Sequence, residues 1–171
     1  MKITLKSALF FSLCTAILLA TNTVSAQKAS PAAKVTQVAN GKNITVNYSR
    51  PSVKGRKIWG ELVPYGEVWR TGANEATTFE VDKDVKIEGK SLPKGKYALF
   101  TIPTENEWTI VFSKNAGQFG AFSYDEKEDA LRVKVSPKTA AASTEQFTIA
   151  IAKTGVVSLL WDKLQVDFKV D

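Results

Sequence analysis

The sequence predicts an all-β domain: an antiparallel β-sandwich or flattened barrel of roughly nine or ten strands. Two patterns point to it. Apolar and polar residues alternate at period two through much of the chain, and clusters of Gly, Pro and Asn separate the alternating runs. A third observation removes the rival, because no stretch keeps a 3.6-residue period for more than about two turns. With 171 residues, 44% hydrophobic and 23% charged, the chain suits one compact domain with its own core.

The N-terminus reads as an address rather than as part of that domain. Lys2 and Lys6 precede an apolar run from Ala8 to Ala20, and Val24-Ser25-Ala26 places small residues at the −3 and −1 positions. Residues 1–26 therefore have the form of a secretory signal peptide with cleavage after Ala26, and a periplasmic or secreted location is expected. A retained signal anchor is the alternative. Cys14 lies inside the apolar run after Leu13, so a lipoprotein signal does not fit. No apolar run of 18 or more residues follows, and no transmembrane helix is expected in the mature chain. Loss of Lys2 and Lys6 lowers the formal net charge from +6 to +4. That mild surplus, with no dense basic patch or known motif, gives no sign of nucleic-acid binding.

Residues 27–33 are small and read as a mobile lead-in to a single β domain over 34–171. Ile44, Val46 and Tyr48 share one face of a first strand. Tyr97–Ile102 and Trp108–Phe112 are apolar on both faces, as central strands are. Leu131, Val133 and Val135 alternate with Arg132 and Lys134; Phe147, Ile149 and Ile151 share a face. Val156–Trp161 is a further apolar run. Leu164, Val166, Phe168 and Val170 alternate to the end of the chain, a possible sheet edge. Turns fall at Asn40-Gly41, Glu88-Gly89-Lys90, Pro93-Lys94-Gly95 and 103–107. Residues 137–145, poor in large apolar side chains, read as an exposed loop.

Alternation fails over residues 48–78. Pro51, Gly55, Gly60, Pro64, Gly66 and Gly72 punctuate the segment, and Ile58–Val63 is compatible with a single helical turn. Yet Tyr48, Trp59, Tyr65 and Trp69 lie here, four of the chain's eight Trp and Tyr, together with Arg50, Arg56 and Arg70. Indole and phenol rings suit a sugar or another planar group, and a guanidinium fork matches carboxylate or phosphate. Asn74 and Glu75 add an amide and an acceptor. Arg50, Arg56, Trp59, Tyr65, Trp69, Arg70, Asn74 and Glu75 are therefore the candidate ligand-binding residues, within a segment spanning 50–75. The structural alternative is that Trp59 and Trp69 plug the end of the sandwich while the arginines bind loop carbonyls and carboxylates.

The absence of His removes the commonest catalytic base and metal ligand, and with it the Ser–His–Asp, Cys–His and His-ligated metal classes. Glycoside hydrolysis needs two carboxylates about 5–9.5 Å apart. Glu61, Glu67 and Glu75 are the candidates, but their spacing in a Gly- and Pro-rich segment fixes no geometry. The acidic groups Asp82/Asp84/Glu88 and Asp125/Glu126/Glu128/Asp129 lack the spacing of a calcium loop. No cofactor and no catalytic residue are expected.

The string from Tyr48 to Thr78 resembles the signature of domain of unknown function 2911, a family of small exported bacterial proteins. LPKGKYALFTIP (Leu92–Pro103), Trp108 and GAFSYDEKEDALRV (Gly120–Val133) are similar too. The family tends to have Trp where this chain has Phe119, and Asn-Tyr where it has Ser123-Tyr124. The resemblance implies an exported, single-domain, all-β protein and brings no established activity. Residues and resemblance together lead to the expectation of a non-catalytic module that binds an envelope glycan or other anionic polymer. A carboxylate-based hydrolase is the alternative, as is a structural subunit that binds an envelope protein by strand addition.

Overall fold

The computed structural model describes residues 30–171, so the signal peptide expected over residues 1–26, and residues 27–29, lie outside the described residues. The described residues form ten strands: β1 (Ala32–Ala39), β2 (Lys42–Ser49), β3 (Thr78–Val81), β4 (Val85–Ile87), β5 (Lys90–Leu92), β6 (Gly95–Pro103), β7 (Trp108–Ser113), β8 (Asp129–Val135), β9 (Pro137–Ile151) and β10 (Val156–Lys169). One layer is a six-stranded antiparallel sheet in the order β1-β2-β3-β6-β7-β8. The other is built on the long β9–β10 hairpin. The small β4–β5 hairpin extends it, because Lys86 and Asp171 exchange backbone hydrogen bonds of 2.8 and 2.9 Å and Ile87 bridges Val170. This is a sandwich, not a closed barrel.

Alternation explains which side chains meet between the layers. Ile44, Val46, Phe79, Leu99, Ile110, Phe112 and Val133 point inward from the large sheet, and Phe147, Ile149, Leu159, Val166 and Phe168 point inward from the hairpin. β6 and β7 are apolar on both faces because their second face is also covered. Ala98, Phe100 and Val111 pack there against Val68, Ala121 and Tyr124 from two long connections.

Turn chemistry sets the hairpins. Asn40 and Gly41 both have positive φ, 51° and 72°, the backbone of a two-residue turn whose twist matches the strands it joins. Glu88-Gly89 repeats it between β4 and β5.

Five expectations change. β1 starts at Ala32, so the end of the small-residue lead-in already belongs to the sheet, with Ala32 paired to Ser49. Residues 137–145 are not a loop but the first half of β9; Leu164, Gln165 and Val166 pair with Thr139, Lys138 and Pro137. The two C-terminal runs are one strand. The register shifts on both sides of Asp162, at φ 53°, so that Val157, Leu159 and Trp161 point inward before the bulge and Leu164, Val166 and Phe168 after it. Its end is not an open edge, since β4 pairs beside residues 169–171. Ile58–Val63 forms consecutive turns rather than a helical turn, closed by Val63 N–H to the Ile58 carbonyl at 2.9 Å and Gly60 N–H to the Val63 carbonyl at 2.9 Å.

Candidate functional site

The connection from β2 to β3 crosses one end of the sandwich and is ordered at both of its ends. At its start, Val53 N–H donates to the Glu145 carbonyl and Phe147 N–H to the Pro51 carbonyl, each at 2.8 Å, so residues 51–53 run alongside β9. At its finish, Trp69 and Thr101 exchange backbone hydrogen bonds of 2.8 and 3.0 Å, continuing the β3 position along β6.

Between these anchors lies an aromatic cluster containing all four tryptophans. Trp59 meets Trp108 at 4.9 Å, Trp69 at 5.8 Å and Trp161 at 5.8 Å between ring centroids. Trp69 stacks on Trp161 at 5.7 Å and meets Phe147 edge-on at 5.2 Å. Two of these rings come from strands and two from the connection, so the cluster clamps the connection onto the sandwich end. The indole N–H groups of Trp59, Trp108 and Trp161 are buried without a hydrogen-bond partner. Trp69 donates its own to the Gly72 carbonyl at 3.2 Å.

Residues 70–77 fold back on themselves at the edge of the cluster. Thr71, β-branched, sits at φ 53°, a conformation such residues rarely adopt. It is held there from several sides: its hydroxyl lies 3.2 Å from the Thr101 hydroxyl, and its carbonyl accepts from the Thr77 hydroxyl at 2.6 Å. Arg70 Nη1 donates to the Asn74 carbonyl at 2.9 Å, and Asn74 Nδ2 to the Ser30 carbonyl at 3.1 Å. Strain that the surroundings over-determine is a mark of a loop held in a set shape.

A cleft of about 480 Å³ opens between this loop and residues 51–63. Lys54, Arg56 and Arg70 line it with positive charge, and Asn74 adds its amide. Leu62, Trp69 and Trp161 supply apolar surface, and no carboxylate lines it. In none of the ion pairs among the described residues does Arg50, Arg56 or Arg70 take part.

The eight candidate residues are distributed unevenly. Arg56, Trp69, Arg70 and Asn74 meet at the cleft. Arg50 turns to β9, donating from Nε to the Phe147 carbonyl at 3.1 Å and from Nη2 to the Thr148 hydroxyl at 2.8 Å. Trp59 is the hub of the tryptophan cluster. Tyr65 lies with its ring over Gly60. Glu75 is exposed on a separate cleft of about 560 Å³ beside β1 and β2. Arg56 also serves the scaffold, donating from Nε to the Val53 carbonyl at 3.1 Å and from Nη2 to the Ser52 carbonyl at 2.5 Å. Several lining residues, Lys54, Leu62 and Trp161 among them, were not among the sequence candidates. Lys54 resembled an ordinary turn lysine, and Trp161 lay far away in an apolar run whose inward phase was its only signal.

The carboxylates proposed for hydrolysis do not converge on the cleft. Glu61 pairs with Lys57 at 3.0 Å in the open, and Glu67 is exposed. The acidic groups weighed for calcium anchor loops instead. Asp82 accepts from the Asn43 backbone and side-chain amides at 2.8 and 2.6 Å, and these bonds hold its carboxyl below the usual carboxylate range. Asp129 accepts from Arg132 Nε and from the Tyr124 hydroxyl, both at 2.6 Å, and Glu126 pairs with the same arginine at 3.1 Å. Burial, and then the bond to Asp129, push the Tyr124 phenol up to about 12.

Fold and site together define a two-layer antiparallel β-sandwich with an ordered cationic and aromatic cleft at one end. The family model described as protein of unknown function (DUF2911) matches residues 30–170, and the chain belongs to that family. No curated protein and no solved structure matches it.

Proposed function

We propose that this chain is an exported, non-catalytic binding module whose end cleft takes an anionic ligand of the cell envelope, a glycan or another anionic polymer. The observation that carries the reading is the lining: three cations and an amide around indole faces, with no carboxylate among them. Arg70 and Asn74 are fixed by the strained loop 70–77, so little ordering is left to occur on binding, which favours affinity. The open shape suits a segment of a polymer better than an engulfed small molecule. Leu62 and Trp69 offer the apolar surface on which a ring can rest, with the buried Trp161 behind them. Arg56 and Arg70 donate to carboxylate, sulfate or phosphate.

The test is thermal unfolding of the chain from Gln27 onward against polyphosphate, an acidic polysaccharide such as alginate, and neutral dextran. A ligand at 100 times its dissociation constant adds about 2.7 kcal/mol, which raises the midpoint by roughly 5–10 °C at this size. The shift is expected with a polyanion and not with dextran, and it should vanish in Arg70→Ala. No shift with any polyanion would remove the basis for the reading.

A further inference from the structure

The connection from β7 to β8 shows two phenylalanines to solvent. Phe119 is 59% exposed and Phe122 is 82% exposed. The loop itself is not loose. Gln118, between them and β7, is buried; its side chain donates to the Asn115 carbonyl at 3.1 Å and its carbonyl accepts from Ala76 N–H at 3.4 Å. Gly120, between the two phenylalanines, is buried against Arg70. Tyr124 closes the loop, packing edge-on against Phe100 at 5.1 Å. The outer face of the sheet beneath is already filled by Val68, Ala121 and Tyr124, so neither phenyl ring has a vacancy to turn into. An ordered loop that holds two large apolar rings outward marks a contact surface.

The charge around the rings indicates what they contact. From Lys114 to Tyr124 the loop carries no acidic residue. The Arg70 guanidinium lies 5.4 Å from the Phe122 ring centroid, and it also lines the cleft with exposed Lys54 and Arg56. Of the four carboxylates that follow, Asp129 and the exposed Glu126 pair with Arg132, Asp125 accepts from Lys127 N–H at 3.0 Å, and Glu128 is exposed on the side of the loop away in sequence from Phe119 and Phe122. Protruding apolar rings beside a cationic rim complement an anionic lipid surface, where apolar burial at the acyl boundary and attraction to headgroup phosphates add together.

We propose that the loop 114–124 seats this protein on an anionic lipid surface, Phe119 and Phe122 entering the interface while Arg70 engages headgroup phosphate. Seating is carried by the two rings, which do not line the cleft; Arg70 is shared with the cleft, so a bound polymer would compete with headgroup phosphate for it without removing the rings' contribution.

Co-sedimentation of the chain from Gln27 onward with phosphatidylcholine–phosphatidylglycerol vesicles tests it, with phosphatidylcholine vesicles as the neutral arm. The chain is expected to sediment with the anionic vesicles and to be released by salt. The double substitution Phe119→Ser with Phe122→Ser is expected to weaken binding roughly tenfold or more. Phe119 is exposed and has no ring or cation contact among the described residues, so Phe119→Ser alone should weaken vesicle binding while its thermal midpoint and any polyphosphate-induced shift stay as in the parent chain, which separates this proposal from the cleft reading. No sedimentation with anionic vesicles at low salt, equal binding to neutral vesicles, or undiminished binding by the double variant would each overturn it. In the first case the rings are left to a protein partner.

Discussion

Replacing Trp59 by Ala removes the ring on which Trp69, Trp108 and Trp161 converge, at centroid separations of 5.8, 4.9 and 5.8 Å. Each aromatic pair is worth about 0.5–1.5 kcal/mol beyond the area it buries. Large aromatic truncations in cores cost about 3–5 kcal/mol. Trp59 is only partly buried, which favours the lower end, so about 3 kcal/mol is expected. Against a total stability of about 5–15 kcal/mol that is a large fraction. The thermal midpoint should fall by about 10 °C, followed by far-UV circular dichroism. Tryptophan emission should report the same transition, since the three remaining indoles stay in the cluster. Trp69→Ala should cost a similar amount, and the double variant less than the sum, because the two rings touch. A loss below about 1 kcal/mol for Trp59→Ala would refute the clamp and return Trp59 to the list of ligand contacts.

Other consequences follow from single contacts. Gly72 has φ 150°, and a Cβ there would lie 2.9 Å from the Ser49 carbonyl oxygen, so Gly72→Ala should lower the midpoint and distort the cleft; an unchanged midpoint would contradict the close approach. The Tyr124 phenol, raised to about 12, holds its proton more tightly folded than unfolded. Its contribution is therefore complete below pH ~10 and lost as pH rises towards ~12. Absorbance titration should show a late-ionising tyrosine that disappears in Tyr124→Phe. Burial opposes ionisation of Asp167, but bonds from Lys138 Nζ at 2.5 Å and Gln165 Nε2 at 2.8 Å prevail and its pKa is lowered. Stability from this group is present above the ordinary Asp pKa of about 3.9 and lost as pH falls through the lower folded value, and Asp167→Asn should flatten that acid limb.

The legible part of the fold was what burial writes into sequence. β2, β6, β7 and β8 each put a periodic or doubly apolar face against a layer, and the Asn40-Gly41 turn carried its own backbone signal. The first half of β9 was illegible because it is exposed: Ala140–Thr144 buries little, and its strand state comes from pairing with β10 rather than from a face to hide. The bulge at Asp162 misled in the opposite way, by changing the phase of alternation within one strand. At the candidate site, the concentration of Arg and Trp in residues 50–75 falls at the end of the molecule where the cleft opens. It could not divide the residues between clamp and cleft, because that division depends on Trp108, Phe147 and Trp161, which arrive from distant strands. Arg50 shows the limit well. Its guanidinium is indistinguishable in sequence from that of Arg70, but one is spent on β9 and the other opens onto the cleft.

Trp69 and Trp161 line the cleft, so a ligand there changes the surroundings of two of the four tryptophans. The most direct measurement is a fluorescence titration of the chain from Gln27 onward with polyphosphate at low and moderate salt. The account predicts a saturable change that weakens with salt, is lost in Arg70→Ala, and persists in Lys134→Ala, whose lysine forms an exposed surface pair with Glu107 at 2.6 Å. A change that survives Arg70→Ala, or none at any concentration for this and other polyanions, would contradict it.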